Sequence, residues 1–258
     1  MGENELTKVH PPAGLLTGKN AIVTGAAMGL GKAMAEVFVR EGARVLAADI
    51  DDSIAAAAAG IGPNCVAFRA DVSREEDVAA MFARAKELFG KIDVVVNNAA
   101  KIVSSAPEWS IENYEEFDRT NQFGVFLCTR LAVEAMLETG GGAIVNVSSV
   151  GSLNAEERAG IIYSAGKAAV NSLTKSVAVR YGDRGIRANV LAPGFTHIEK
   201  TRNAAPAMLA PMEQKSPLRR GGEAEEQAQV AAFLASDRAS YINGVILPVD
   251  GGWSARMA

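Results

Sequence analysis

Short, nearly continuous apolar runs alternate along the chain with longer stretches whose apolar positions recur every three or four residues. The short runs fall at 20–24, 44–49, 65–70, 93–97, 143–148, 187–191 and 245–249. Runs of this kind read as strands covered on both faces. Between them, 30–40 puts Met34 and Phe38 on one stripe, and 75–89 sets Val78, Met81, Phe82, Ala85 and Phe89 at helical spacing. Ser73 lies three residues before Glu76, the spacing of a capping box. Further helices are predicted over 112–137, 162–181 and 223–235, and the alanine run at 55–59 is helix-compatible. Strand and helix in alternation predict a doubly wound α/β fold: a parallel sheet with helices on both faces and right-handed crossovers. No repeat and no low-complexity linker divides the chain.

The first predicted strand runs into Thr24-Gly25-Ala26-Ala27-Met28-Gly29-Leu30-Gly31, and a helix follows. Glycines at this junction allow a tight turn and a close approach of backbone to a pyrophosphate. The helix start adds unpaired N–H groups and the positive end of a dipole. Gly25, Met28, Gly29, Leu30 and Gly31 are therefore candidate cofactor contacts. The second strand ends at Asp49, 18 residues beyond Gly31. A carboxylate there can accept from both hydroxyls of an adenosine ribose and would repel a 2′-phosphate. Met28 and Ile50, beside it, bring no positive charge. The expected cofactor is NAD rather than NADP. The alternative for Asp49 is a helix N-cap, a task Asp51 or Asp52 could also perform.

Tyr163-Ser164-Ala165-Gly166-Lys167 places a phenol and an ammonium four residues apart, on one face if the segment is helical. A free tyrosine, with a pKa of about 10, is only ~0.1% ionised at neutral pH. A neighbouring cation favours the phenolate and could bring it into an acid–base range. Such a pair is more often a solvated helix face, so it needs company to carry meaning.

That company is present. The Thr24–Gly31 segment, Asn97-Asn98-Ala99-Ala100, Asn121, Ser148-Ser149, Tyr163-x-x-x-Lys167, Pro193-Gly194 and the closing Val249-Asp250-Gly251-Gly252 together resemble the short-chain dehydrogenase/reductase family, over residues 16–253. The resemblance implies a seven-stranded Rossmann sheet and NAD(P)-dependent interconversion of a secondary alcohol and a ketone. It implies Tyr163 as general acid–base. Lys167 would bind the nicotinamide ribose and lower the Tyr163 pKa. Asn121 would bend its helix and hold a relay water. Asp71 and Val72 would contact adenine, with Asn98, Ala99 and Ala100 bordering the ribose. Pro193, Gly194 and Thr196 would lie near the carboxamide. The family serine usually stands 13 residues before the tyrosine, where this chain has Val150. Ser149, one residue further back, implies a one-residue insertion within 150–162; Ser148 and Ser152 are weaker candidates, Ser148 for a strand-end backbone role. Ala100 replaces a common glycine, and Ile198 stands where a threonine is frequent. Residues 112–137 and 162–181 would form the interface of a homodimer or tetramer.

Composition narrows the alternatives. The 258 residues carry a net charge of −4, with 48% hydrophobic and 22% charged residues. Disorder is excluded as the main state, and an acidic chain is a poor nucleic-acid binder. No apolar run approaches the ~18 residues that span a bilayer, so no membrane role is expected. Residues 1–16 lack the basic-then-apolar order of a signal peptide and are expected to form a loose arm, with the cytoplasm as default location. Residues 17–258 then form one catalytic domain, in which 195–218 is expected to cover the substrate. Two cysteines, Cys65 and Cys128, and two histidines, His10 and His197, offer no suitably spaced metal cluster. Met208, Leu209 and Met212 are expected to pack the covering lobe, and Asn154, Glu156, Glu157 and Arg158 to face solvent. The expected partner is a small alcohol or ketone. A non-catalytic dinucleotide sensor on the same fold is the alternative; an intact Ser149, Tyr163, Lys167 and Asn121 set argues against it.

Overall fold

A computed structural model describes residues 14–102, 106–154, 160–202 and 205–256. Seven parallel strands form the main sheet in the order β3-β2-β1-β4-β5-β6-β9. They are β1 (Asn20–Thr24), β2 (Arg44–Asp49), β3 (Cys65–Arg69), β4 (Val94–Asn97), β5 (Gly142–Val147), β6 (Ile186–Pro193) and β9 (Ile246–Val249). A separate parallel pair joins β7 (Thr196–His197) to β8 (Gly222–Glu223). That pair was not expected, and two residues per strand are too few to leave a period in the sequence.

Two apolar layers flank the sheet. On one face lie α1 (Gly29–Arg40), α2 (Ile54–Ile61) and α9 (Ala224–Ala235). Met34, Val37 and Phe38 of α1 and the alanines of α9 fill that layer. On the other face, α3 (Glu75–Phe89), α5 (Val125–Thr139) and α6 (Ile161–Tyr181) bury Met81, Phe82, Leu127, Met136 and Val177. The strand order reverses between β1 and β4. The crevice beyond the carboxyl ends of the strands at such a reversal is where open α/β sheets bind ligands.

The predicted helix over 112–137 is two helices, α4 (Ile111–Asp118) and α5, joined by a π-helical turn over Arg119–Gly124. Two contacts hold the break. Asn121 bonds both backbone groups of Lys101, accepting from its N–H and donating to its C=O at 2.9 Å each. Gly124 presses on Val72, where a Cβ would stand 2.9 Å from Val72 Cγ2. The capping box of Ser73 and Glu76 does not form. The Ser73 N–H and hydroxyl both donate to Asp71 Oδ1, at 2.9 and 2.7 Å, and α3 starts after Arg74. A carboxylate two residues back competes better than a helix N–H three residues on.

Most of the expected arm, residues 1–13, lies outside the described residues. Leu15 and Leu16, also assigned to it, instead bond Glu41 through their backbone N–H groups, and Leu16 is fully buried. Cys65 and Cys128 are buried free thiols, pushed up to about 11 and about 12 by burial. Among the described residues no helix is long and apolar enough to cross a membrane, and no cluster of side chains could hold a metal ion.

Candidate active site

The cradle at the head of α1 is a backbone construction. Gly25 and Gly29 have φ of 67° and 59°, the left-handed region that glycine tolerates. A Cβ at Gly25 would stand 2.8 Å from the Ala99 Cα, and one at Gly31 would overlap the Gly25 carbonyl. These residues fit a dinucleotide: the cradle admits a close ligand only because no side chain fills it. Thr24 ties it to the next strand. Its Oγ1 accepts from the N–H of Asn98 and of Ala99, each at 3.1 Å, and donates to the Val96 carbonyl. The Asn98 amide donates to the Thr24 and Gly25 carbonyls at 3.0 and 3.1 Å. Asn98 and Ala99 therefore build the cradle wall, and Ala100 beside them is exposed.

Asp49 is not a helix cap. Its carboxylate accepts from Ala27 N–H at 2.9 Å and from Asp51 N–H at 3.0 Å, which fixes it beside the cradle with lone pairs to spare. Met28 and Ile50 are exposed. Arg69, opposite Asp49 in the β2–β3 register, is bridged to Asp52 at 2.7 Å. Asp71 spends one carboxylate oxygen on Ser73, and Val72 is buried against Gly124. Leu30 packs on the core. The Thr196 hydroxyl donates to the Gly194 carbonyl at 3.1 Å, and Gly194, after Pro193 at the end of β6, is pressed against Asp250.

A residue that sequence reasoning missed also reaches the cradle. Glu199, the first residue of α7 (Glu199–Arg202), accepts from the Gly29 N–H at 3.0 Å. Ile198 lies 3.5 Å from where a Gly29 Cβ would be. Helix α8 (Pro206–Glu213) follows in the lobe, with Met208 exposed rather than packed.

The second half of the site is made of side chains. Tyr163 lies in the first turn of α6, and Lys167 one turn further. Lys167 is buried; its Nζ donates to the Val147 carbonyl at 2.8 Å and lies 5.7 Å from the Tyr163 ring centroid. Burial pulls its ammonium down to about 8. Phe117 of α4 meets the Tyr163 ring edge-on. Ser149 stands near enough for its side chain to favour the Tyr163 phenolate. Its Oγ accepts from Gly151 N–H at 3.1 Å, so its one proton is left to donate toward the phenol. Ser149, not Ser148 or Ser152, is thus the serine beside the tyrosine. The Ser148 hydroxyl lies 3.0 Å from the Lys167 carbonyl, a strand-end role. In the protein alone the expected lowering of the Tyr163 pKa is not seen. Burial pushes the phenol above its usual value, opposed by the Ser149 side chain.

Asn121 stands in the π-helical turn, as the bent helix implied, but its amide tethers Lys101 at both ends. The residues Glu156, Glu157 and Arg158 of the inserted loop lie outside the described residues.

Comparisons with known proteins bear on the fold and the family. A family profile described as enoyl-(acyl carrier protein) reductase matches residues 25–254. The 3beta-hydroxysteroid dehydrogenase 2 of Eggerthella lenta is 39% identical, over 95% of this chain and 98% of that protein. The cis-4-hydroxycyclohexanecarboxylate dehydrogenase of Sinomonas cyclohexanicum is 40% identical, over 91% and 96%. The crystal structure of levodione reductase superposes with a TM-score of 0.88 at 33% identity, covering 94% of this chain and 100% of that one. Profile, relatives and superposition converge: the chain belongs to the short-chain dehydrogenase/reductase family.

Proposed function

We propose that the protein is an NAD-dependent dehydrogenase that interconverts a secondary ring alcohol and its ketone. The observation that carries this reading is the buried Lys167 ammonium, tied to Val147 O at the end of β5 and 5.7 Å from the Tyr163 ring, with Ser149 two residues beyond that strand. The backbone of Gly25–Gly31 would hold the pyrophosphate and Asp49 the adenosine ribose. Asp71, Val72 and the Asn98–Ala100 segment would border the adenine and its ribose. Lys167 would hold the nicotinamide ribose, with Pro193, Gly194 and Thr196 at the carboxamide. Bound nicotinamide supplies a hydride acceptor and a local positive charge.

The chain's own residues then divide the work. The Ser149 hydroxyl donates to the substrate oxygen and fixes it beside Tyr163 Oη. Tyr163 Oη takes the hydroxyl proton during oxidation and returns it during reduction. Lys167 would stabilise the phenolate, the form that accepts the proton in oxidation and is left after reduction. Because burial raises the phenol, the enzyme depends on cationic charge arriving with the cofactor to make Tyr163 acidic. The Asn121 amide ties Lys101 to the π-helical turn, and a relay water would be held at the bend it stands in. The names of the relatives support a hydroxyl on a carbocycle: one acts on a 3beta-hydroxysteroid, another on a hydroxycyclohexanecarboxylate. Residues 195–218 would cover this substrate. Exposed Ile111, Tyr114, Phe126 and Val179 on α4, α5 and α6 support assembly as a dimer or tetramer.

The test compares NAD with NADP across cyclic secondary alcohols and ketones, with Tyr163→Phe as control. Faster NADH than NADPH formation, abolished by the control, is expected. NAD binding without turnover on the whole panel would instead favour the sensor.

A further inference from the structure

Three hydrogen bonds stitch α6 to the end of β5. Lys167 Nζ donates to Val147 O, the Ser148 hydroxyl lies against the Lys167 carbonyl, and Asn171 Nδ2 donates to Ser152 Oγ at 2.9 Å. The third reaches a residue that neither the mechanism nor the family resemblance uses. Ser152 closes the 3-10 turn Val150–Ser152, which Ser149 caps. Its hydroxyl donates to the Ser149 carbonyl at 2.5 Å, and its N–H bonds the same oxygen at 3.0 Å. The turn in turn aims Ser149, because Gly151 N–H occupies one lone pair of the Ser149 Oγ.

Asn171 sits four residues after Lys167 and eight after Tyr163, so the three occupy neighbouring positions of one helical face. It is 6% exposed, and its Oδ1 has no hydrogen-bond partner. A leucine or alanine would fill such a place without stranding a carbonyl. The amide is oriented by its other end, toward Ser152. We propose that Ser152 and Asn171 are positioning residues that hold the Ser149 hydroxyl in register with Tyr163, as one clamp between the serine turn and the helix carrying the acid–base group. The clamp answers the insertion between Ser149 and Tyr163. A longer connection loosens the covalent link between the two residues, and the Asn171–Ser152 bond replaces it with a link through space. This rests on the reading of Ser149 and Tyr163 given above.

The experiment measures kcat for a cyclic secondary alcohol, Kd for NADH by fluorescence, and melting temperature. The variants are Ser152→Ala, Asn171→Ala, their double, Ser152→Thr and Ser149→Ala. Misplacing the serine is expected to lower kcat by about 10-fold in either alanine variant, with NADH affinity within about two-fold of wild type. Ser152→Thr, which keeps the hydroxyl, is expected to restore turnover. The double variant is expected to lose no more than the worse single one, because both residues serve one link. Where Ser152→Ala does not fold, Asn171→Ala and Ser152→Thr carry the same comparison. Wild-type kcat in both alanine variants alongside a defective Ser149→Ala overturns the clamp alone. So do multiplying losses, or a threonine as slow as alanine. Wild-type kcat in Ser149→Ala overturns the reading of the serine itself.

Discussion

The cradle of α1 and the acid–base face of α6 lie at the same end of the sheet but are built from different material. The cradle is backbone. Its side chains matter mostly by being absent at Gly25 and Gly31. The α6 face is side chain: a phenol, an ammonium and a serine hydroxyl aimed by bonds from β5 and the turn after it. A backbone site fails by being filled, whereas a side-chain site fails by losing one atom. Damage to the first should remove cofactor binding, and damage to the second should remove turnover alone.

The largest effect is expected at Gly31→Ala. The added methyl has nowhere to go but into the Gly25 carbonyl. Overpacking of this kind costs about 1–3 kcal/mol, so both the melting temperature and NADH fluorescence enhancement should fall. An alanine variant that binds NADH normally would break the contrast at its first term. Tyr163→Phe tests the second term. NADH affinity should hold while turnover falls by ~10²-fold or more. The same variant isolates the phenol in a difference absorbance titration. Because burial raises its pKa, Tyr163 in the cofactor-free protein should ionise above the usual tyrosine value. The sign follows: the neutral phenol is favoured by folding, so its contribution to stability is complete below the unfolded value. That contribution fades as pH rises through the folded one. Saturating NAD should move the titration down.

Asp49→Ser sharpens the cradle side. Removing the carboxylate should cut the preference for NAD over NADP by about 10-fold, or about 1.4 kcal/mol, with kcat on NAD little changed. Steady-state rates with both cofactors decide it, and an unaltered ratio would take Asp49 out of cofactor choice. The smallest effect is expected at Glu199→Gln. An anion at the Gly29 N–H opposes a second anion there, so neutralising it should tighten NADH binding about 2- to 5-fold, the scale of one carboxylate at a helix start. Weaker binding in that variant would show that Glu199 helps the cofactor instead.

The contrast also explains what the amino-acid pattern disclosed. Glycines at a strand-to-helix junction report a backbone site directly, since few other reasons place Gly25, Gly29 and Gly31 together. Tyr163 and Lys167 were legible because helical geometry ties four residues of spacing to one face. The sheet was legible from its buried runs, with strand ends shifting by a residue or two. The serine turn was not. Ser152 and Asn171 meet through tertiary packing, and two small polar residues 19 apart carry no period. The break at Arg119–Gly124 was expected from the family resemblance, through Asn121, but left no mark in the apolar pattern. Its apolar spacing continues through the π-helical turn, and the bonds that open it come from Lys101, outside the helix. Glu199 was silent because nothing local marks a carboxylate that will travel to a glycine 170 residues earlier.

That last contact has a bearing on how the two halves of the molecule talk to each other. Glu199, in the segment proposed to cover the substrate, holds the Gly29 N–H that a dinucleotide would claim. Binding a dinucleotide there would then be coupled to release of the Glu199 contact. By reciprocity, anything that breaks the Glu199–Gly29 bond should ease the cofactor into place by the same factor. Order of addition would then be written into a single shared donor rather than into any motion of the sheet.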